Sequence, residues 1–521
     1  MTQLVTRLTQ SEKEEMLLLV SLFVFEVSLA VMAVASYMRG ERSFDVFLPS
    51  RAGILFVCAT MSILVAATVV IRQYLAHKRS PSPRFRLVVT MNLVTLLLIV
   101  VTGEIIVRAG SRSGPTGEAF LGIPMKPRSW DQAKGLIAKL LKDHDANRSV
   151  MVYDDRLGWT LGSNRYSPSK GEVPAYVSSV DGLRAPQPGV VFEKVEGKTD
   201  IALVGDSFTF GEKVSHEDTW GYKLNQLLGE DYRVLNFGVP GYSLDQAYRR
   251  YLKDTLPRNA KIVIFSFIDH DLSRTMRIYP FVFHDSWRLP FSKPRLVLQD
   301  GALREVNQTP APPEEILSRN AISELPFIEY DASYKPSEWE KRWFHFSYLV
   351  RLIVSRFPAW SAARSEFSEA AMLSTNTEIL RKFLRSAEQA GSIPIIMWFP
   401  QEGNIQDPSS YPPMSKRMLE LAGIPYIDPT PCLLEVAPND RFVGGHYSSQ
   451  SNTAVTKCVY RAVEKALVEA SGTVPSDHAI SGSPPLPPQA SSHKRQSRLN
   501  SVFDTEPQET PFQVSNSRQV H

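Results

Sequence analysis

Short apolar runs alternate with amphipathic ones through the second half of the chain, and this alternation leaves few folds open. Ile201–Val204, Tyr232–Phe237, Lys261–Phe267, Ile393–Phe399 and Pro425–Ile427 read as strands. Trp220–Leu228, Leu244–Leu256, Asn376–Ala390, Ser415–Ala422 and Ser449–Ala470 read as helices between and after them. Strands separated by helices cannot pair as hairpins. They predict an α/β domain whose parallel sheet is covered by helices on both faces. Its span is 151–470, interrupted from about 272 to 374.

The interruption holds Pro-rich turns such as Ala311-Pro-Pro-Glu314 and then a capping box, Ser337-Glu-Trp-Glu340, that opens a helix. That helix would carry Trp343, Phe346, Val350, Ile353, Val354 and Phe357 on one side. Lys341, Arg342, Arg351 and Arg356 exclude it as a membrane span. It either packs on the core or lies in a bilayer surface with its basic residues at the headgroups.

Three further apolar runs, Met16–Ser36, Ala52–Ile71 and Leu87–Val107, fill residues 1–108. Each has the length needed to cross a hydrocarbon core of about 30 Å, with Glu26 and Glu104 the only ionisable residues among them. They predict three transmembrane helices. The second loop carries Arg72, Lys78, Arg79, Arg84 and Arg86 with no acid, against Arg39, Arg42 and Arg51 in the first. This bias places the N-terminus in the cytoplasm and everything after Arg108 outside. Residues 109–150 read as a membrane-proximal linker with one helix at Trp130–Lys142. Beyond Ser471 the composition turns to Pro, Ser and Gln, including Pro484-Pro-Leu-Pro-Pro488, so 471–521 reads as a disordered tail.

A net charge of +4 over 521 residues gives no reason to expect nucleic acid as a partner. Three cysteines make neither a disulfide scaffold nor a zinc cluster; Cys432 and Cys458 form either one disulfide or two buried thiols. No ligand spacing for a metal is present, and no cofactor is called for.

Chemistry gathers at the strand ends. The first strand ends in Gly205-Asp-Ser207 at a helix start, where backbone N–H groups face an incoming anion. The second ends in Asn236-Phe-Gly-Val-Pro-Gly241, and the third in Ile268-Asp-His-Asp271. Gly444-Gly-His446 precedes the last helix, offering a base for the Ser207 hydroxyl.

In these blocks the chain resembles the SGNH hydrolases, the GDSL-type esterase superfamily, from about Asp200 to Ala470. The resemblance implies a flavodoxin-like three-layer α/β/α domain, preceded here by the three spans. It implies Ser207 as nucleophile and His446 as general base. The oxyanion hole would be the N–H groups of Ser207 and Gly241, with Gly238 as the fallback glycine. Two blocks depart from the family pattern. His270 stands where the third block has an asparagine, and is either an oxyanion donor or a structural histidine. Val443 stands where the last block has the aspartate that orients the imidazole. Either Asp440 reaches in from the longer loop, or a backbone carbonyl orients the ring and a Ser–His dyad works alone; the dyad is preferred. The implied activity is hydrolysis of O-acyl esters, an O-acetylated small molecule or cell-envelope glycan, by a membrane protein whose catalytic domain is periplasmic or extracellular. Two rivals stand beside it: an O-acetyltransferase served by a donor-delivering envelope partner, and a non-catalytic scaffold module that keeps the fold.

Overall fold

The computed structural model describes residues 83–144, 149–171, 173–283, 289–356 and 367–471. Two compact units separate. One comprises residues up to 136 with 320–323 and 335–362; the other comprises 137–319, 324–334 and 363 onward.

The second unit is built on a four-stranded, fully parallel sheet. Its strands are β1 (Thr199–Val204), β2 (Tyr232–Asn236), β3 (Ile262–Phe267) and β4 (Ile393–Trp398), in the spatial order β4-β3-β1-β2. Ile201 pairs with Val234 on one side and Ile262 on the other, and Ile262 pairs in turn with Ile393. The expected fifth strand, Pro425–Ile427, shrinks to one parallel bridge between Ile427 and Met397. Pro425 has no N–H to give a ladder and Pro429 closes the segment, so pairing cannot spread.

Successive side chains of these strands point to opposite faces, and both faces are buried. Ala202, Val204, Val263 and Phe265 face α3 (Leu244–Arg250), α5 (Glu369–Gln389) and α6 (Met414–Ala422) through Ala247, Phe383 and Leu419. Ile201, Leu203, Ile262 and Ile264 face α2 (Trp220–Leu228) and α7 (Ser449–Ser471) through Leu224, Val455 and Val459. The result is a three-layer α/β/α domain with the flavodoxin-like strand order. Each fully buried Leu, Ile or Val contributes about 1.5–3 kcal/mol. The order reverses between β1 and β3, so the carboxyl ends of those two strands open a crevice. Two short helices start there, α1 (Ser207–Phe210) and α4 (Asp269–Thr275).

Helix boundaries move modestly from the sequence reading. α3 is regular only to Arg250 and passes into a wider turn at Tyr251–Thr255 and a tighter one at Leu256–Arg258. α5 starts at Glu369, seven residues before the expected Asn376, because the Ser368 hydroxyl caps the Ala371 N–H at 3.2 Å.

In the first unit, helix Pro83–Gly110 is followed by a small antiparallel sheet of Ser111–Gly114, Gly117–Phe120 and Ile123–Pro124. A sheet thus stands where the sequence predicts only a linker. The capping-box helix is also corrected. It is broken into Pro336–Trp339, Trp343–Phe346 and Tyr348–Arg356, with extended backbone at Glu340 and Ser347. The break at Ser347 is stabilised from outside: Glu104 accepts from the N–H groups of Tyr348 and Leu349 at 3.0 and 2.9 Å and from Ser347 Oγ at 2.8 Å. A carboxylate at a helix start satisfies orphan donors and complements the dipole, so a second helix begins where one was expected to continue.

Two of the three apolar runs, Met16–Ser36 and Ala52–Ile71, lie outside the described residues, as does the 472–521 tail. The third coincides with helix Pro83–Gly110. Among the described residues, no helix is long and apolar enough to cross a membrane.

Candidate active site

The Gly205-Asp-Ser207 turn is sharp because its first residue has no side chain. A Cβ at Gly205 would lie 2.4 Å from the Ser266 carbonyl oxygen and 2.1 Å from Thr209 Oγ1. Asp206 then caps α1, its Oδ1 accepting the Phe208 N–H at 2.9 Å. Gly211 closes α1 in the left-handed region at φ 79°. Ser207 is the first residue of that helix and 4% exposed. Its own N–H has no acceptor among the described residues.

The loop after β2 is fastened to this turn. Phe237 N–H donates to Leu203 O at 2.8 Å and Val239 N–H to Gly205 O at 3.1 Å. Asn236 works from both ends of its amide: Nδ2 donates to Thr209 O at 2.8 Å, and Oδ1 accepts from Gly238 N–H at 2.9 Å. Gly238 therefore has no donor to spare. It is needed for close approach, since a Cβ there would lie 2.5 Å from Phe210 N. Gly241, at φ 80°, keeps an N–H with no acceptor among the described residues. Of the two glycines, only Gly241 can offer its N–H to a ligand.

His446 stands on a minimal hairpin. Phe442–Val443 pairs with His446–Tyr447, Val443 directly opposite His446, and Gly444-Gly445 forms the two-residue turn with φ 53° and 78°. Both turn residues have positive φ, a conformation that glycine adopts without strain. The ring then reaches in two directions. Nε2 lies 2.8 Å from Ser207 Oγ, and Nδ1 lies 3.3 Å from the Gly444 carbonyl. A carbonyl only accepts, so Nδ1 carries the proton and Nε2 is left as the acceptor for the serine hydroxyl. Phe208 lies against the imidazole at a centroid distance of 4.9 Å.

Asp440 is not brought to the ring. Its residue is exposed at the end of the turn Pro438–Asp440, and its backbone carbonyl, not its carboxylate, is engaged, by Ser448 Oγ.

His270 begins the turn of α4, and no hydrogen bond among the described residues joins it to Ser207. Its Nδ1 is 3.0 Å from Gln401 Nε2. An amide NH2 only donates, so Nδ1 accepts and the proton sits on Nε2, the tautomer that can give a hydrogen bond outward. Desolvation, then the charges of Arg274 and Arg277, pull its pKa down to about 4, although the residue as a whole is exposed. It is neutral at pH 7.

Further charged groups surround the serine turn. Glu212 sits just beyond the α1 cap, its Oε2 3.6 Å from His446 Nε2. Arg274 turns inward. It donates to Asp271 Oδ1 at 2.6 Å and comes within 4.0 Å of Asp206 Oδ2. Asp206 and Asp271 are each 1% exposed. Burial raises both carboxyls above their ordinary range; Arg274 opposes the shift in each case, and at Asp271 the Asp206 charge reinforces it. A buried acid pair with one guanidinium thus lies behind the serine turn. A cleft lined by Lys194, Lys198, Arg258 and Lys261 opens at the other end of the strands and takes no part in this site.

Cys432 and Cys458 are bonded to each other, tying the short helix Thr430–Leu434 to α7. Of the two alternatives open in the sequence, the disulfide is the one formed.

No protein-family model matches the chain, and no curated protein matches it. Similar solved structures include a protein assigned to the G-D-S-L lipolytic family from Desulfitobacterium hafniense DCB-2, at 16% identity over 51% of this chain and 99% of that one, TM-score 0.27. A lipase/acylhydrolase from Enterococcus faecalis matches at 14% identity over 51% of this chain and 96% of that one, TM-score 0.26. Axe2, an acetylxylan esterase from Geobacillus stearothermophilus, matches at 13% identity over 52% and 96%, TM-score 0.27. At these scores the likeness adds nothing to what the geometry carries.

Proposed function

We propose that the chain is a membrane-anchored serine esterase of the SGNH type that cleaves O-acyl esters, O-acetyl groups first among them. The observation that carries the reading is the 2.8 Å contact between His446 Nε2 and Ser207 Oγ, with the other ring nitrogen held by Gly444. A serine hydroxyl is a weak nucleophile at neutral pH and needs a base within hydrogen-bond reach, in the tautomer found here.

Ser207 Oγ attacks the ester carbonyl as its proton passes to Nε2. The oxyanion so formed takes hydrogen bonds from the N–H groups of Ser207 and Gly241, and from Nε2–H of His270 once substrate closes the distance. Each such donor contributes about 3 kcal/mol in the transition state. Nε2–H then protonates the leaving alcohol, water attacks the acyl-enzyme through the same base, and Ser207 is regenerated. The ring becomes a cation during both steps. Glu212 is the carboxylate that faces it, from the Nε2 side rather than the Nδ1 side. A hydroxyl acceptor in place of water would make the same acyl-enzyme a transferase intermediate.

The location rests on the three apolar runs and their charge bias. The Cys432–Cys458 bond supports it, since disulfides persist in oxidising compartments. A domain outside the membrane meets envelope glycans, which makes them the substrate class of choice. The test is fluorophosphonate labelling and acetyl-ester turnover by wild type, Ser207→Ala and His446→Ala. Labelling of wild type alone, with turnover lost in both variants, is expected. Wild type that neither labels nor hydrolyses any small ester would sink the reading.

A further inference from the structure

On helix Pro83–Gly110, a large apolar surface is left uncovered by the described residues. Leu97, Leu98, Val100, Val101, Ile105 and Ile106 are between 45% and 61% exposed. At about 100° per residue they cover roughly two thirds of the helix circumference. A protein partner docking on one face would leave the others in water. A medium that surrounds the helix would not, and on the membrane reading above that medium is the bilayer.

The segment beside the last turn of this helix has the chemistry of a membrane surface. It is held there by Glu104, which caps Tyr348–Arg356, and by Arg108, whose Nη2 donates to Phe346 O at 3.0 Å and whose guanidinium lies 4.5 Å over the Tyr348 ring. Arg351 is turned inward onto Glu118, so it does not serve the headgroups as the sequence reading of an interfacial helix had it. What faces out is aromatic: Trp343 is 83% exposed and Phe346 70%. Lys341 and Arg342 precede them, both exposed, with Arg342 3.6 Å from the exposed Glu340.

We infer that Trp343–Arg356 is an interfacial anchor, docked on the last turn of the third span, that seats Trp343 and Phe346 among the lipid headgroups of the outer leaflet. The inference rests on the membrane reading above. Trp suits this depth because its ring is apolar and its N–H is wet, and adjacent basic side chains meet phosphates. A 28-residue helix is about 42 Å long, more than the roughly 30 Å of hydrocarbon, so its last turns and whatever docks on them stand at the interface.

The test uses the full chain in phosphatidylethanolamine–phosphatidylglycerol vesicles, with a nitroxide at Trp343→Cys or Phe346→Cys in a Cys58→Ser background. Collision with oxygen is compared with collision with a water-soluble nickel chelate, and nitroxide lipids of known depth serve as rulers. Both positions should favour oxygen and report the headgroup–acyl boundary. Water-like chelate collisions at both, in protein that floats with the vesicles, overturn the anchor while leaving the membrane reading intact. Full-length protein that does not float with the vesicles overturns both. Should the cysteine variants fail to fold, brominated-lipid quenching of wild type against Trp343→Phe gives the same answer. Trp343 must account for a quenched share of the emission, and no difference between the two proteins overturns the anchor.

Discussion

His446 Nδ1 is satisfied by the carbonyl of Gly444, two residues before it in the same hairpin, while Nε2 faces Ser207. Orientation of the base is therefore local, and a distant carboxylate has nothing to add. Asp440→Ala should leave kcat/KM for an acetyl ester within about threefold of wild type. In enzymes whose base depends on an aspartate, the loss is on the order of 10⁴ in kcat. A drop beyond a hundredfold in Asp440→Ala would mean that the loop rearranges to use it.

Glu212 lies on the opposite side of the ring, 3.6 Å from Nε2. Its charge favours the imidazolium of both transition states, but the pair is partly open to solvent, so the effect is modest. Glu212→Gln should lower kcat about fivefold, the equivalent of ~1 kcal/mol, with KM nearly unchanged. Steady-state kinetics on one acetyl ester decides it; an unchanged kcat with a raised KM would make Glu212 a substrate-binding group instead.

The buried acid pair gives a stability term with a definite sign. Burial, and behind it the Asp206 charge, holds the Asp271 carboxyl well above its ordinary range. Its folded-state pKa lies above the unfolded one. The contribution is thus full below about pH 4 and falls away as pH rises toward the folded value. Asp271→Asn stays neutral throughout. The Tm of Asp271→Asn relative to wild type should therefore improve between about pH 5 and about pH 8, by about 3 °C for each ~1 kcal/mol. A difference that stays flat across this range would show that Asp271 is ionised in the fold.

Joining Cys432 to Cys458 closes a loop with a sequence separation of 26 residues. Replacing both by serine should cost about 3 kcal/mol in denaturant unfolding of the intact protein. Thiol titration of unfolded wild type without reductant should find one reactive thiol, the three cysteines less the bonded two. Three thiols would remove the bond and weaken the case for an oxidising compartment.

The parts of this architecture legible in sequence are those written in residue type. β1 and β3 are apolar through both faces, so their existence and parallel pairing follow from composition and spacing alone. Ser207 was visible because an apolar strand ends abruptly in Gly-Asp-Ser at a helix start, and His446 because a glycine-flanked histidine precedes the last helix. What orients His446 was not visible, since a backbone carbonyl has no residue-type signature; only the hairpin register reveals it. The partners of Arg274 were not visible, because one guanidinium facing a buried acid looks, in sequence, like one facing water. The break at Ser347 was hidden for a related reason: its cap, Glu104, is 243 residues away. The Ser111–Pro124 sheet was missed because its strands are only two to four residues long, too short to show an alternating pattern.

The Gly444–Gly445 turn is the shortest connection a hairpin allows, and that has an evolutionary corollary. A loop with no slack fixes the ring by geometry alone, so the freedom an aspartate would otherwise suppress has been removed at folding rather than at each turnover. Such a site tolerates drift at Asp440 but almost none in the length of the turn. One inserted residue would carry the imidazole away from the hydroxyl, and no point substitution elsewhere would bring it back.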